Sequence, residues 1–138
     1  MPVLSIYDFC DTLIDFQSAN AFVNYVIHKN GSKSRFAEIF RKVLIRFHLL
    51  FLANIVYRHM SVNKALLLYQ LKGYSKSELQ RCAEDFYRDI IKPHLQKDLL
   101  NSLQNDISEE CVVVIASGGY DIYLNLFCKE YNIHHLLC

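Results

Sequence analysis

Two short stretches carry residue types suited to phosphate chemistry. The first is Val3 to Leu13, V-L-S-I-Y-D-F-C-D-T-L. Its apolar part, Val3–Phe9, is too short for a helix and reads as a buried strand of a parallel sheet. The run then breaks into polar residues at Asp8, Asp11 and Thr12. In open α/β sheets, ligands sit at the carboxyl ends of the strands. A carboxylate there with no basic neighbour in sequence is costly unless a cation meets it. A metal ion or a phosphate-handling site would supply that partner. The second stretch is Cys111–Ala116, a β-branched run that reads as another buried strand, followed by Ser117-Gly118-Gly119 and a helical segment. Glycines let the backbone approach an anion closely. The free N–H groups and the dipole of a following helix favour negative charge, and the Ser117 hydroxyl adds a donor. Ser-Gly-Gly is also ordinary loop chemistry, so this stretch gains weight only beside the first.

The segments between them read as helices. Apolar residues recur at helical spacing from Gln17 to His28, with Ser18 as N-cap and Asn30-Gly31 as the stop. A second helix begins at Ser32–Ser34 and runs to about His59; its centre, Val43–Tyr57, is the most apolar stretch of the chain. That centre is shorter than the roughly 20 apolar residues a membrane span needs, and it contains Arg46, His48 and Asn54. A buried or partner-facing helix is the preferred reading, with contact at a membrane interface as the alternative. Ser61 caps a helix over Val62–Lys72, closed by Gly73. Ser75 and Glu78 form a capping box. The helix they open carries Leu79, Cys82, Ala83, Phe86 and Ile90 on one face and ends before Pro93. Pro93 suits the first turn of a further helix, to about Asn105. A last helix covers Tyr120 to about Tyr131, and Ile133–Cys138 reads as the start of a third strand.

Composition narrows the function classes. A formal net charge of +1 leaves no basic footprint for nucleic acid. Hydrophobic content of 52% is ample for a core and argues against disorder. The cysteine count is odd, and no two cysteines stand in C-x-x-C spacing. They read as free thiols in a reducing compartment, not as a zinc site. The amino-terminal strand leaves no room for a secretory signal, so the expected compartment is the cytoplasm. His28, His48, His59 and His94 lack ligand spacing, and His134 and His135 would point to opposite faces of a strand.

Asp8-Phe9-Cys10-Asp11-Thr12-Leu13 resembles motif I of the haloacid dehalogenase superfamily, usually D-x-D-G-T-L. Val112 to Leu124, with Ser117-Gly118-Gly119 at its centre, resembles motif II of the phosphoserine-phosphatase-like branch. The resemblance implies an α/β fold: a Rossmann-like parallel core from residues 1–14 and 106–138, with an inserted α-helical cap over 15–105. It also implies a magnesium-dependent phosphomonoester hydrolase acting on a small phosphorylated substrate. Asp8 would be the nucleophile and a metal ligand, and the Cys10 carbonyl a second ligand. Thr12, Ser117 and Gly118 would hold the phosphoryl group. Cys10 stands where the family's acid–base Asp is usual, and Asp11 where Gly is usual. Asp11 taking over the acid–base role, or a slow or altered activity, are the two alternatives. Outside the enzyme class, the readings are a remnant that binds phosphate without turnover and a membrane-associated accessory protein using Val43–Tyr57.

The resemblance also implies a motif III lysine and a motif IV acidic pair beyond the third strand, so the chain reads as a truncated product, a partial gene or one part of a longer protein, with an incomplete core. Sequencing the coding DNA past codon 138 tests this. A continuing frame with a lysine and then an acidic pair is the outcome expected of a phosphatase, and a stop codon that of a remnant.

Overall fold

The computed structural model describes residues 3–31, 39, 42, 43, 46 and 62–138. The strand-forming runs pair as a three-stranded parallel sheet in the order β1 (Leu4–Asp8), β2 (Val112–Ala116), β3 (His135–Leu137). Leu4 lies beside Val112, Ile6 beside Val114 and Asp8 beside Ala116. On the other side of β2, Val114 lies beside His135 and Ala116 beside Leu137. The result is an α/β fold consistent with a Rossmann-like core.

The helices are α1 (Ser18–Asn30), α2 (Val62–Gln70), α3 (Lys76–Phe86), α4 (Lys97–Ser108) and α5 (Asp121–Glu130) among the described residues. The chain divides into two compact units, one of Met1–Phe22 with Gln80–Cys138 and one of Val23–Leu79. In the second unit, Asn30 ends α1 and Gly31 follows with φ +75°, a conformation glycine adopts without strain. The expected capping box opens α3: Ser75 N–H donates to Glu78 Oε2 at 2.7 Å, and Glu78 N–H to Ser75 Oγ at 3.2 Å. Val43–Tyr57 lies outside the described residues except for Val43 and Arg46. Among the described residues, no helix is long and apolar enough to cross a membrane.

The core of the first unit sits on one face of the sheet. Val113 and Ile115 of β2 point into it, as do Tyr123, Leu124, Phe127 and Cys128, a single stripe of α5. Phe9 meets Phe127 edge-on at 5.1 Å between ring centroids. Phe22, Phe86 and Tyr123 form an aromatic cluster with centroids 5.2–5.4 Å apart.

Three expectations change. β1 is half-buried on one face and exposed on the other, not buried on two. Leu4 and Ile6 are 58% and 62% exposed, because no described element covers their side of the sheet. Pro93 does not open the next helix. After α3 the chain makes a π-helical turn (Tyr87–Ile91) and a 3₁₀ turn (Lys92–His94), and Leu95 then turns extended to bridge Ile14. Gln96 N–H donates to Leu13 O at 2.9 Å, so this pairing delays α4 to Lys97. Ser18 is not the N-cap of α1, because its hydroxyl is drawn inward, as described below.

Tyr7 Oη donates to Asp106 Oδ2 at 2.7 Å, tying β1 to α4. Burial first, then this bond and the adjacent charge, pushes Tyr7 up from 10.0 to about 12. Its bonds to Tyr7 and Ser5 hold Asp106 below the ordinary carboxylate value. A depressed carboxylate stabilises the fold above its unfolded pKa, and that contribution fades as pH falls through the folded value. A raised phenol contributes below pH 10 and fades as pH rises through about 12. Asp106→Asn is expected to flatten the acid arm of the melting-temperature profile, and Tyr7→Phe the alkaline arm, measured by circular dichroism.

Candidate active site

Both chemically promising stretches end at the same edge of the sheet. β1 and β2 run parallel and in register, so the residues after Asp8 and those after Ala116 leave the sheet side by side. Ser117 is held at the end of β2 by its N–H, which donates to Leu137 O at 2.8 Å. Asp8 is exposed at the strand end, and no hydrogen bond joins its carboxylate to the described residues.

Phe9–Leu13 is a tight turn, closed by Ile14 N–H to Phe9 O at 3.0 Å. Phe9, Leu13 and Ile14 are fully buried, which anchors the turn in the core. Cys10 is extended, and Asp11 sits in the left-handed region with φ +56°. Among non-glycine residues, Asp is one of the few that enters this region readily. The backbone thus keeps at Asp11 the shape a glycine would give it. The Asp11 side chain is exposed and accepts a hydrogen bond from Gln17 Nε2. Thr12 is half-buried in the same turn.

The structure brings Cys10, and not Asp11, against the Ser117 loop. Cys10 Sγ lies 3.1 Å from Ser18 Oγ and 3.6 Å from Ser117 Oγ. Ser18 Oγ lies 2.8 Å from Tyr123 Oη, which accepts Tyr120 N–H at 3.0 Å. Gly119 N–H donates to Ser117 Oγ at 3.0 Å. Burial pushes the Tyr123 phenol well above its ordinary value, so it keeps its proton across the neutral range. Sequence reading missed Ser18, Tyr123 and Gly119 as members of this cluster. A signal existed for Tyr123, three residues beyond the helix entry at Tyr120, where a side chain reaches back to a free N–H. Ser18 carried none, since its ordinary reading is a cap.

Gly119 is needed for space. A Cβ there would come within 2.5 Å of Tyr123 Oη, 2.9 Å of Ser18 Oγ and 3.1 Å of Ser117 Oγ. Gly118 differs: it is exposed, and a Cβ would meet nothing within 4 Å. Its backbone therefore borders open space.

Among the described residues, no three His, Cys, Asp or Glu side chains gather as a metal cage. Magnesium does not require one, because it keeps several waters and is held by one or two carboxylates and a substrate phosphate. The exposed Asp8 carboxylate and the Cys10 carbonyl are oxygen donors of that kind. The donor set fits an ion held mainly by water and phosphate.

The model of the haloacid dehalogenase-like hydrolases matches residues 6–138, and the chain belongs to that family. A protein with unknown function from Bordetella pertussis Tohama I has a similar fold in its crystal structure, with a TM-score of 0.73 at 17% identity. The match covers 99% of this chain and 60% of that one, so the chain spans less than two thirds of its neighbour's length. A search of curated proteins gave no match.

Gly119→Ala is expected to destabilise the protein by about 1–3 kcal/mol, the usual cost of overpacking a tight site. Urea denaturation checks this, and Gly118→Ala should leave the midpoint nearly unchanged.

Proposed function

We propose that the chain is the catalytic part of a magnesium-dependent phosphomonoester hydrolase acting on a small phosphorylated substrate. One observation carries the reading: the Asp8–Thr12 turn and the Ser117–Gly119 loop converge at the carboxyl ends of two adjacent parallel strands. Family membership supports it.

Asp8 is the nucleophile. A carboxylate oxygen attacks phosphorus, an O–P bond forms, and the ester O–P bond breaks as the alcohol leaves with a proton. Water then attacks the aspartyl-phosphate, releasing phosphate and restoring Asp8. Bound at Asp8 and the Cys10 carbonyl, magnesium would offset charge on the phosphoryl oxygens. Thr12, the Ser117 hydroxyl and the Gly118 N–H hold those oxygens. Asp11 is the other carboxylate of the turn: it gives the leaving oxygen its proton and takes one back from the attacking water. The inserted segment 15–105 serves as the family's cap region. The five cysteines are free thiols, which suits the cytoplasm.

A second reading has its own observation. Cys10 is buried among hydroxyls where the family usually carries an acid. General acid–base help is worth about 10²–10⁴-fold, so its loss favours a module that binds phosphate without turnover.

Hydrolysis of p-nitrophenyl phosphate with magnesium separates the two, because its good leaving group needs little acid assistance. Turnover that disappears in Asp8→Asn is expected of the enzyme. Phosphate binding without turnover in the unmutated chain would establish the second reading.

A further inference from the structure

The cluster around Cys10 has a direction. Tyr120 N–H can only donate, so Tyr123 Oη accepts it at 3.0 Å. The phenol proton then has one acceptor among the described residues, Ser18 Oγ at 2.8 Å. Ser18 is fully buried, and having accepted from Tyr123 it passes its own proton to Cys10 Sγ at 3.1 Å. The Cys10 thiol in turn finds Ser117 Oγ at 3.6 Å. Gly119 N–H donates to the same oxygen.

The opposite direction fails. It would have Ser117 donate to Cys10, Cys10 to Ser18 and Ser18 to Tyr123. The Tyr123 proton would then face only the Tyr120 N–H, a donor. A buried hydroxyl with no acceptor is costly, and Tyr123 is fully buried. Burial also keeps that phenol protonated. If Cys10 Sγ instead accepted from both Ser18 and Ser117, its own S–H would have no acceptor among the described residues; in the favoured direction every donor is used, and Ser117 Oγ accepts two bonds. Its proton is left for the open side, beside the exposed Gly118.

We propose that Tyr123, Ser18 and Cys10 are positioning residues: a one-way hydrogen-bond chain, starting at the Tyr120 N–H, that presets the Ser117 hydroxyl to donate to an anionic phosphoryl oxygen. The inference rests on the reading of Ser117 as a phosphate contact. It gives the thiol a task that a carboxylate could not perform, since an ionised carboxylate accepts on both sides and would turn the Ser117 proton inward. Each link polarises the next, so the last donor is stronger than an isolated hydroxyl.

The test is calorimetric titration of inorganic phosphate, with magnesium present, into the full chain and its variants. Ser117→Ala should weaken binding about tenfold, the worth of a hydrogen bond to a charged group. Cys10→Ala, Ser18→Ala and Tyr123→Phe should each weaken it roughly two- to fivefold through lost polarisation. Cys10→Ser, which can accept and donate in the same order, should bind within about twofold of the parent. Adding Tyr123→Phe to Cys10→Ala should weaken binding no further, because the chain is already cut. Where Tyr123→Phe fails to fold, Ser18→Ala carries the comparison. A second readout needs no phosphate. The infrared S–H stretch of Cys10, assigned by its loss in Cys10→Ser, should move to higher frequency in Ser117→Ala as its acceptor disappears.

Loss of affinity in Ser117→Ala alone, with the three upstream variants at parent affinity, would overturn the chain and leave the phosphate reading standing. Parent affinity in Ser117→Ala would overturn the phosphate reading and the proposal with it, even if the S–H band still moves. An S–H band that does not move would overturn the direction assigned to the chain.

Discussion

Everything at this site depends on the parallel pairing of β1 with β2. Cys10 and Ser117 stand 107 positions apart in the chain, yet their side chains touch. The ladder from Leu4–Val112 to Asp8–Ala116 brings both strand ends to one edge. A slip of one residue would exchange the faces of every side chain on β1. Phe9 would leave the core, and Asp8 would turn inward. The long excursion between the strands costs little more than a shorter one, because loop-closure entropy grows only with the logarithm of length. The compact unit of Val23–Leu79 is therefore tolerated within the chain.

Below the sheet edge, α5 joins the core to the site. Tyr123 has two roles. Its ring packs against Phe22 and Phe86, and its hydroxyl enters the polar cluster. The aromatic packing fixes the ring, which limits where the hydroxyl can be. Gly119 leaves the room that this hydroxyl, Ser18 and Ser117 occupy. Polar groups this deeply buried are stable because they are paired with one another. A charged group in the same place would need stronger compensation.

The first turn shows how backbone shape and side-chain chemistry separate. Asp11 holds the left-handed conformation at modest cost and sends its carboxylate to the surface. Cys10 is extended and sends its thiol inward. Two departures from the family's usual motif thus act differently: one preserves the path of the chain, and the other changes what the site presents.

The three strands, the helix stop at Gly31, the capping box at Ser75 and the family motifs were all legible in the sequence. Each rests on local physics: β-branched runs, glycine's freedom at positive φ, and hydroxyls close in sequence to free N–H groups. Other features depended on partners distant in the chain. Ser18 reads as a cap from its neighbours, but Cys10 and Tyr123 draw it inward. Pro93 reads as a helix start, but Leu95 pairs with Ile14 instead. The exposed face of β1 follows from what packs on the sheet, which the apolar run Val3–Phe9 does not encode. Residue types along the chain mark where carboxylates, hydroxyls and glycines gather after two strands. That a thiol, and not Asp11, meets Ser117 comes from the pairing of distant strands, because alternation along a chain sets the face of each residue while register between strands sets its neighbour.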